Sequence, residues 1–163
     1  MRHGESAHLA PTDQLRELTE QGKAQAFAQG KWLQQCESKT PGNFSAPHSA
    51  WRVLVSPYVR AQQTFTQVNA AFNGELGAKM ETWDGITPYG NAQTVVDYLS
   101  VLADQGVQTA LVISHLPLVG EIVAELYGRR NPIAFYPSTI VEMSWNGEKA
   151  EIVQHRAAES LNR

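Results

Sequence analysis

Short apolar runs alternate along this chain with stretches whose apolar residues recur at helical spacing, and that alternation predicts an α/β protein. Thr19 is placed to cap a helix running to about Cys36, with Ala24, Phe27, Ala28 and Trp32 as its inner face. Glu37 to Ala50, which carries Pro, Gly and Ser, reads as a surface loop. Trp51 to Val55 follows as a buried strand. Ser56-Pro57 then opens a second helix, with Ser at the cap, Pro in the first turn, and Ala61, Phe65, Val68 and Phe72 as its apolar stripe. A short strand is expected over Lys79 to Thr82.

In the second half, Asn91 is placed to cap a helix with Val95, Leu99, Leu102 and Ala103 inward, stopped by Gly106. Thr109 to Ile113 is an unbroken run of the kind buried on both faces of a sheet. Pro117 starts a helix ending near Gly128, with Leu118, Ile122 and Leu126 on one side. Ser138–Trp145 and Lys149–His155 then read as a hairpin joined across Asn146-Gly147. These elements imply a three-layer α/β/α sandwich with a mostly parallel sheet and a C-terminal hairpin. No boundary is visible, so residues 1–163 are read as a single domain.

Composition narrows the classes. With 163 residues, 42% of them hydrophobic, the chain can bury a core without a staple, and its single Cys36 builds neither a disulfide nor a cysteine-based zinc cluster. A net charge of −3 argues against a nucleic-acid partner. No apolar run approaches the roughly 18 residues of a membrane span, and Met1-Arg2-His3-Gly4-Glu5 is no signal-peptide core. The expectation is a cytoplasmic protein with no membrane partner.

In an open α/β sheet the chemistry collects beyond the C-terminal strand ends. Arg2-His3-Gly4 stands at the start, Arg60 follows the strand ending at Val55, and His115 follows the strand ending at Ile113. Each has a plainer reading alone: a mobile terminus, a solvated helix charge, a loop histidine. Together, two arginines and two histidines at one sheet edge suit a dianionic phosphoryl group, because guanidinium forks match phosphate oxygens and helix starts turn N–H groups toward the same place. A histidine in that positive field is pushed toward its neutral, nucleophilic form and can attack phosphorus, while a second, protonated histidine can stabilise the transition state. His3 and His8 have neither a helix nor a third ligand for a metal site.

Arg2-His3-Gly4-Glu5, Leu18-Thr19 with Gly22 and Gln25-Ala26, Ser56-Pro57 with Arg60-Ala61-Gln62-Gln63-Thr64, and Val112-Ile113-Ser114-His115 together resemble the histidine phosphatase, or phosphoglycerate mutase-like, superfamily. The run from Leu111 to Gly120 and Thr87-Pro88 resemble its SixA branch of phosphohistidine phosphatases, and the likeness extends from Met1 to about Tyr127. The resemblance implies His3 as nucleophile and phosphohistidine carrier, with Arg2, Arg60 and His115 completing a phosphate pocket that needs no metal or cofactor. Ser6 is a further candidate phosphate contact, and Asp84 and Glu81 are candidate general acids. The implied partner is a phosphorylated histidine-phosphotransfer (HPt) domain of a sensor kinase in a bacterial phosphorelay, with phosphate ion as product. A broad phosphomonoesterase and a catalytically silent phosphoprotein-binding module are the alternatives. Relatives carry an apolar strand before the Arg-His-Gly motif; here only Met1 precedes it, so a misassigned or trimmed start is expected, with Arg2 at a strand end and little strand before it.

Overall fold

The computed structural model describes residues 1–39 and 50–159. In chain order the main elements are α1 (Glu20–Lys39), β1 (Trp51–Val55), α2 (Val59–Ala71), β2 (Met80–Thr82), α3 (Ala92–Asp104), β3 (Thr109–Ile113), α4 (Leu118–Tyr127), β4 (Ile140–Trp145) and β5 (Ala150–Arg156). The expected loop over 37–50 lies outside the described residues across 40–49.

Strands β2, β1 and β3 form a parallel sheet in that order, while β4 and β5 pair antiparallel. Val55 lies opposite both Thr82 and Ile113, so the parallel strands end on one line. Alternation along β1 divides the core, as the two-residue period of a strand requires. Val53 and Val55 pack with Phe65, Val68, Phe72 and Leu33 of α1 and α2. Leu54 packs on the other face with Val95, Leu102, Leu118 and Ile122 of α3 and α4. These are the three layers.

The hairpin rests on α4 through Val141, Met143 and Ile152 against Val119 and Val123. No ladder joins β4 to β3, and a cavity of about 570 Å³ lies between them, lined by Leu111, Ile122, Ile140 and Met143 among others. Residues 1–3 bridge the two sheets at one end. The Met1 nitrogen donates to the Val112 carbonyl, Ser114 N–H to Met1, His3 N–H to Ser114 and Arg2 N–H to Thr139. Arg2 thus forms one parallel bridge to Ser114, with no strand element before it, as the sequence predicts. Ser138 closes the seam with a left-handed φ of +62° and an N–H bond to the His3 carbonyl.

Helix α1 does not bury the face that hydropathy selects. Ala24, Phe27 and Ala28 are exposed, whereas Gly22, Gln25, Ala26, Gln29, Gly30 and Leu33 are buried. The glutamines are inside because they bond backbone carbonyls: Gln29 Nε2 donates to Ser138 and Arg156, and Gln25 Nε2 to Glu159. A buried amide with its donors satisfied is tolerated where an unpaired one is not. Helix α2 begins at Val59 with Tyr58 at the cap position, two residues beyond the predicted cap Ser56, and Ala103 of α3 is exposed. Thr19, Asn91 and Gly128 perform the terminal roles expected of them. The Thr19 hydroxyl accepts from Gly22 N–H at 3.0 Å, the Asn91 amide oxygen from Thr94 N–H at 3.0 Å, and Gly128 takes a φ of +73°.

Candidate active site

The motifs of the sequence interlock through their backbones. A Cβ added to Gly22 would stand 2.2 Å from the Glu5 carbonyl oxygen, and one added to Gly4 would stand 2.9 Å from that of Gly22. Only glycine permits this approach, which presses the segment after His3 onto the first turn of α1. Thr19 N–H bonds the Glu5 carbonyl, and Leu18 N–H bonds the Gln63 side chain. Gly4 N–H donates to the Thr64 hydroxyl at 2.9 Å, which in turn donates to the Arg60 carbonyl at 2.7 Å. Gln63 and Thr64 of α2 therefore set the height of the nucleophile's loop against the helix that carries Arg60.

His3 is buried, and its Nδ1 lies 2.7 Å from the Gly4 carbonyl oxygen. A carbonyl only accepts, so Nδ1 carries the proton and Nε2 keeps its lone pair. Arg60 Nε donates to that Nε2 at 3.3 Å. The His115 ring centroid stands 5.0 Å from that of His3, and the Tyr58 ring packs edge-on against His115 while lying 5.0 Å from the Arg60 guanidinium carbon. His115 Nε2 bonds the Ser56 hydroxyl at 2.7 Å. Arg2 Nη1 donates to the Phe135 carbonyl at 2.8 Å. Among the described residues, Arg2 Nε and His115 Nδ1 are buried nitrogens without a hydrogen-bond partner. Buried polar atoms are normally paired, so these two are exceptions within the segment around His3 and His115.

Burial, more than the positive field the sequence emphasises, keeps the nucleophile neutral. It pulls the His3 imidazole down from 6.5 to about 4, with Arg60, Arg2 and Arg16 adding to the effect and the Gly4 bond opposing it. His115 falls to about 3, again by burial first, then by His3 and Arg60. Both are uncharged at pH 7. A neutral His115 ring differs from the sequence reading, which had a protonated one.

Of the remaining candidates, Ser6 and Glu81 are held by other side chains. The Ser6 hydroxyl accepts from Arg16 Nη2 at 2.9 Å. Glu81 accepts from the Tyr98 hydroxyl at 2.6 Å, and Asp84 and His8 are exposed. The carboxylate that does reach the site is Asp13, on a turn of 3-10 helix spanning Asp13–Leu15, and Arg16 joins it; sequence reading passed over both. Asp84→Asn is expected to leave p-nitrophenyl phosphate hydrolysis within about 2-fold of wild type, since a solvated carboxylate is not held in place to transfer a proton. A loss of roughly 10-fold or more would give Asp84 the acid's role.

A neutral imidazole whose Nε2 lone pair meets a guanidinium, at the strand ends of an α/β/α sandwich, is an arrangement suited to phosphoryl chemistry. No protein-family model matches the chain. It is 58% identical over 97% of its length, and 93% of the other, to a Haemophilus influenzae protein described as a phosphohistidine phosphatase SixA homolog. It is 38% identical to the phosphohistidine phosphatase SixA of Escherichia coli, over 88% of this chain and 82% of that one. A solved structure of the protein histidine phosphatase SixA complexed with tungstate superposes with a TM-score of 0.82 at 35% identity, covering 95% of this chain and 92% of that one. The chain belongs to the SixA-type phosphohistidine phosphatases of the histidine phosphatase superfamily.

Proposed function

We propose that the protein removes a phosphoryl group from a phosphohistidine on a histidine-phosphotransfer domain of a bacterial phosphorelay, in the cytoplasm, with His3 as the transient carrier. The observation that carries this reading is the His3 ring, with Nδ1–H fixed on the Gly4 carbonyl and Nε2 left as a buried lone pair. In the first step that lone pair attacks phosphorus, and the substrate's N–P bond breaks with its electrons returning to the leaving imidazole. In the second, water attacks the phosphoryl group on His3, the new N–P bond breaks, and inorganic phosphate departs. Arg2, Arg60 and His115 stabilise the phosphoryl oxygens in both steps.

Three features support the reading, and the first two favour a phosphohistidine on a protein over a small ester. A leaving imidazole needs less acid assistance than an alkoxide, and of the two acid candidates Glu81 is engaged by Tyr98 and Asp84 is solvent-exposed. Leu9, Leu15, Tyr89, Leu116 and Tyr136 are exposed on the loops that carry or flank the site residues, an apolar rim suited to protein contact. The solved relative holds tungstate, a tetrahedral oxyanion like phosphate, and Arg2 and Arg60 supply the matching donors here. The test compares kcat/KM on a phosphorylated HPt domain with that on p-nitrophenyl phosphate. A preference for the protein of about 100-fold or more is expected. Comparable values would favour a broad phosphomonoesterase, and binding without turnover a silent phosphoprotein-binding module.

A further inference from the structure

Arg60 is held from outside the motifs. Its guanidinium is a rigid planar fork with two usable edges, one formed by Nη1 and Nη2 and the other by Nε and Nη2. Asp13 occupies the first edge twice over: Nη1 donates to its backbone carbonyl at 2.7 Å and Nη2 to its carboxylate Oδ2 at 3.2 Å. The second edge, through Nε, faces His3 Nε2 at 3.3 Å. Asp13 is itself held. Arg16 Nη1 donates to Oδ1 at 3.0 Å, while Arg16 Nε and Nη2 bond the Ala7 carbonyl and the Ser6 hydroxyl in the segment that follows His3. These bonds keep the Asp13 carboxyl below the usual carboxylate range, Arg16 contributing most, so it is ionised at neutral pH.

We infer that Asp13 is a positioning residue for the phosphoryl-transfer reaction: by gripping the outer edge of Arg60 with carbonyl and carboxylate together, it turns the Nε–Nη2 edge toward the phosphoryl group on His3. The inference rests on His3 being the nucleophile. A single ion pair would neutralise Arg60 without fixing its plane; two acceptors on one edge fix both. Tyr58 packs beside the same guanidinium, which limits its tilt but leaves rotation within its plane to Asp13. Orientation matters because a donor misplaced by about 1 Å loses on the order of 10²-fold in rate. The Asp13 side chain is 50% exposed, whereas that of Arg60 is 6% exposed. An exposed turn thereby sets the geometry of a buried catalytic group.

The experiment is a double-mutant cycle of wild type, Asp13→Ala, Arg60→Ala and the double variant. It is read as the rate of His3 phosphorylation by phosphoramidate and, in parallel, as the dissociation constant for inorganic phosphate. Asp13→Ala is expected to slow phosphorylation on the order of 10-fold when Arg60 is present and by less than about 2-fold when it is absent. Asp13→Asn, which keeps the backbone carbonyl and one side-chain oxygen, should recover most of the loss. Melting temperatures identify any variant that is simply unfolded, and Arg16→Gln, which loosens Asp13 while leaving its own atoms in place, then gives a second line through the same cycle. Equal losses in both Arg60 backgrounds, in rate and in phosphate affinity alike, would overturn the assignment, as would a rate within 2-fold of wild type for Asp13→Ala. Unimpaired hydrolysis of phosphoramidate by His3→Ala would instead remove the nucleophile assignment itself, whatever the cycle reads.

Discussion

His3→Ala is expected to lower turnover of a phosphorylated substrate by on the order of 10⁴-fold or more and to abolish covalent labelling of the protein by a phosphoryl donor. The size follows from what is removed. In the proposed mechanism Arg60, Arg2 and His115 bind and stabilise a phosphoryl group but cannot form the covalent intermediate, and without it water must displace the leaving group directly. Because those side chains take their positions from other elements, the variant should still bind inorganic phosphate. Measuring labelling and phosphate affinity in one preparation separates lost chemistry from lost fold. A His3→Ala protein that is still labelled, or that loses less than about 10-fold in turnover, contradicts the mechanism.

Acid is expected to destabilise the protein well before most carboxylates are protonated. His3 and His115 are 7% and 1% exposed, and their folded-state values are about 4 and about 3 against 6.5 in an unfolded chain. Between those limits the unfolded state binds more protons, so stability is fully present above pH 6.5 and is lost as the pH falls toward 4. Each tenfold difference in proton affinity is worth about 1.4 kcal/mol, which makes His3 alone worth roughly 3 kcal/mol by pH 4, against a typical total of about 5–15 kcal/mol. The melting temperature should be nearly level from pH 8 to 7 and drop by about 10 °C or more between pH 6.5 and 4.5. His115→Gln removes one of the two titrations and should visibly flatten that drop. A melting temperature unchanged from pH 7 to 4.5 would show that neither ring is as buried as described.

The parts of the fold that were legible in the sequence are those where burial and hydrophobicity coincide. Trp51–Val55 and Thr109–Ile113 became adjacent parallel strands, and the stripe Ala61, Phe65, Val68 and Phe72 became the inner face of α2. The misreadings arose where a polar group is buried for a specific bond. Gln25 and Gln29 turn α1 by reaching backbone carbonyls, which a scale of apolar residues counts against burial. Ser56 looked like a helix cap, yet its hydroxyl is 2.7 Å from His115 Nε2 and only 3.3 Å from Tyr58 N–H, so the site claims it ahead of the helix. His3, Arg60 and His115 were accessible because strand ends bring them together. Asp13 and Arg16 were not, because they lie in an irregular segment with no period to say which way a side chain points. The one available signal was two opposite charges three residues apart between the motifs that contain His3 and Leu18-Thr19.

The division of the molecule into two sheets gives the first residues of the chain a joining role. His3 lies on the short stretch of backbone that links them, bonded through its N–H to Ser114 beyond β3 and through its carbonyl to Ser138 before β4. The same imidazole-bearing residue is thus a rivet between the sheets, and the amide protons of His3 and Ser138 should exchange with solvent only when that seam opens.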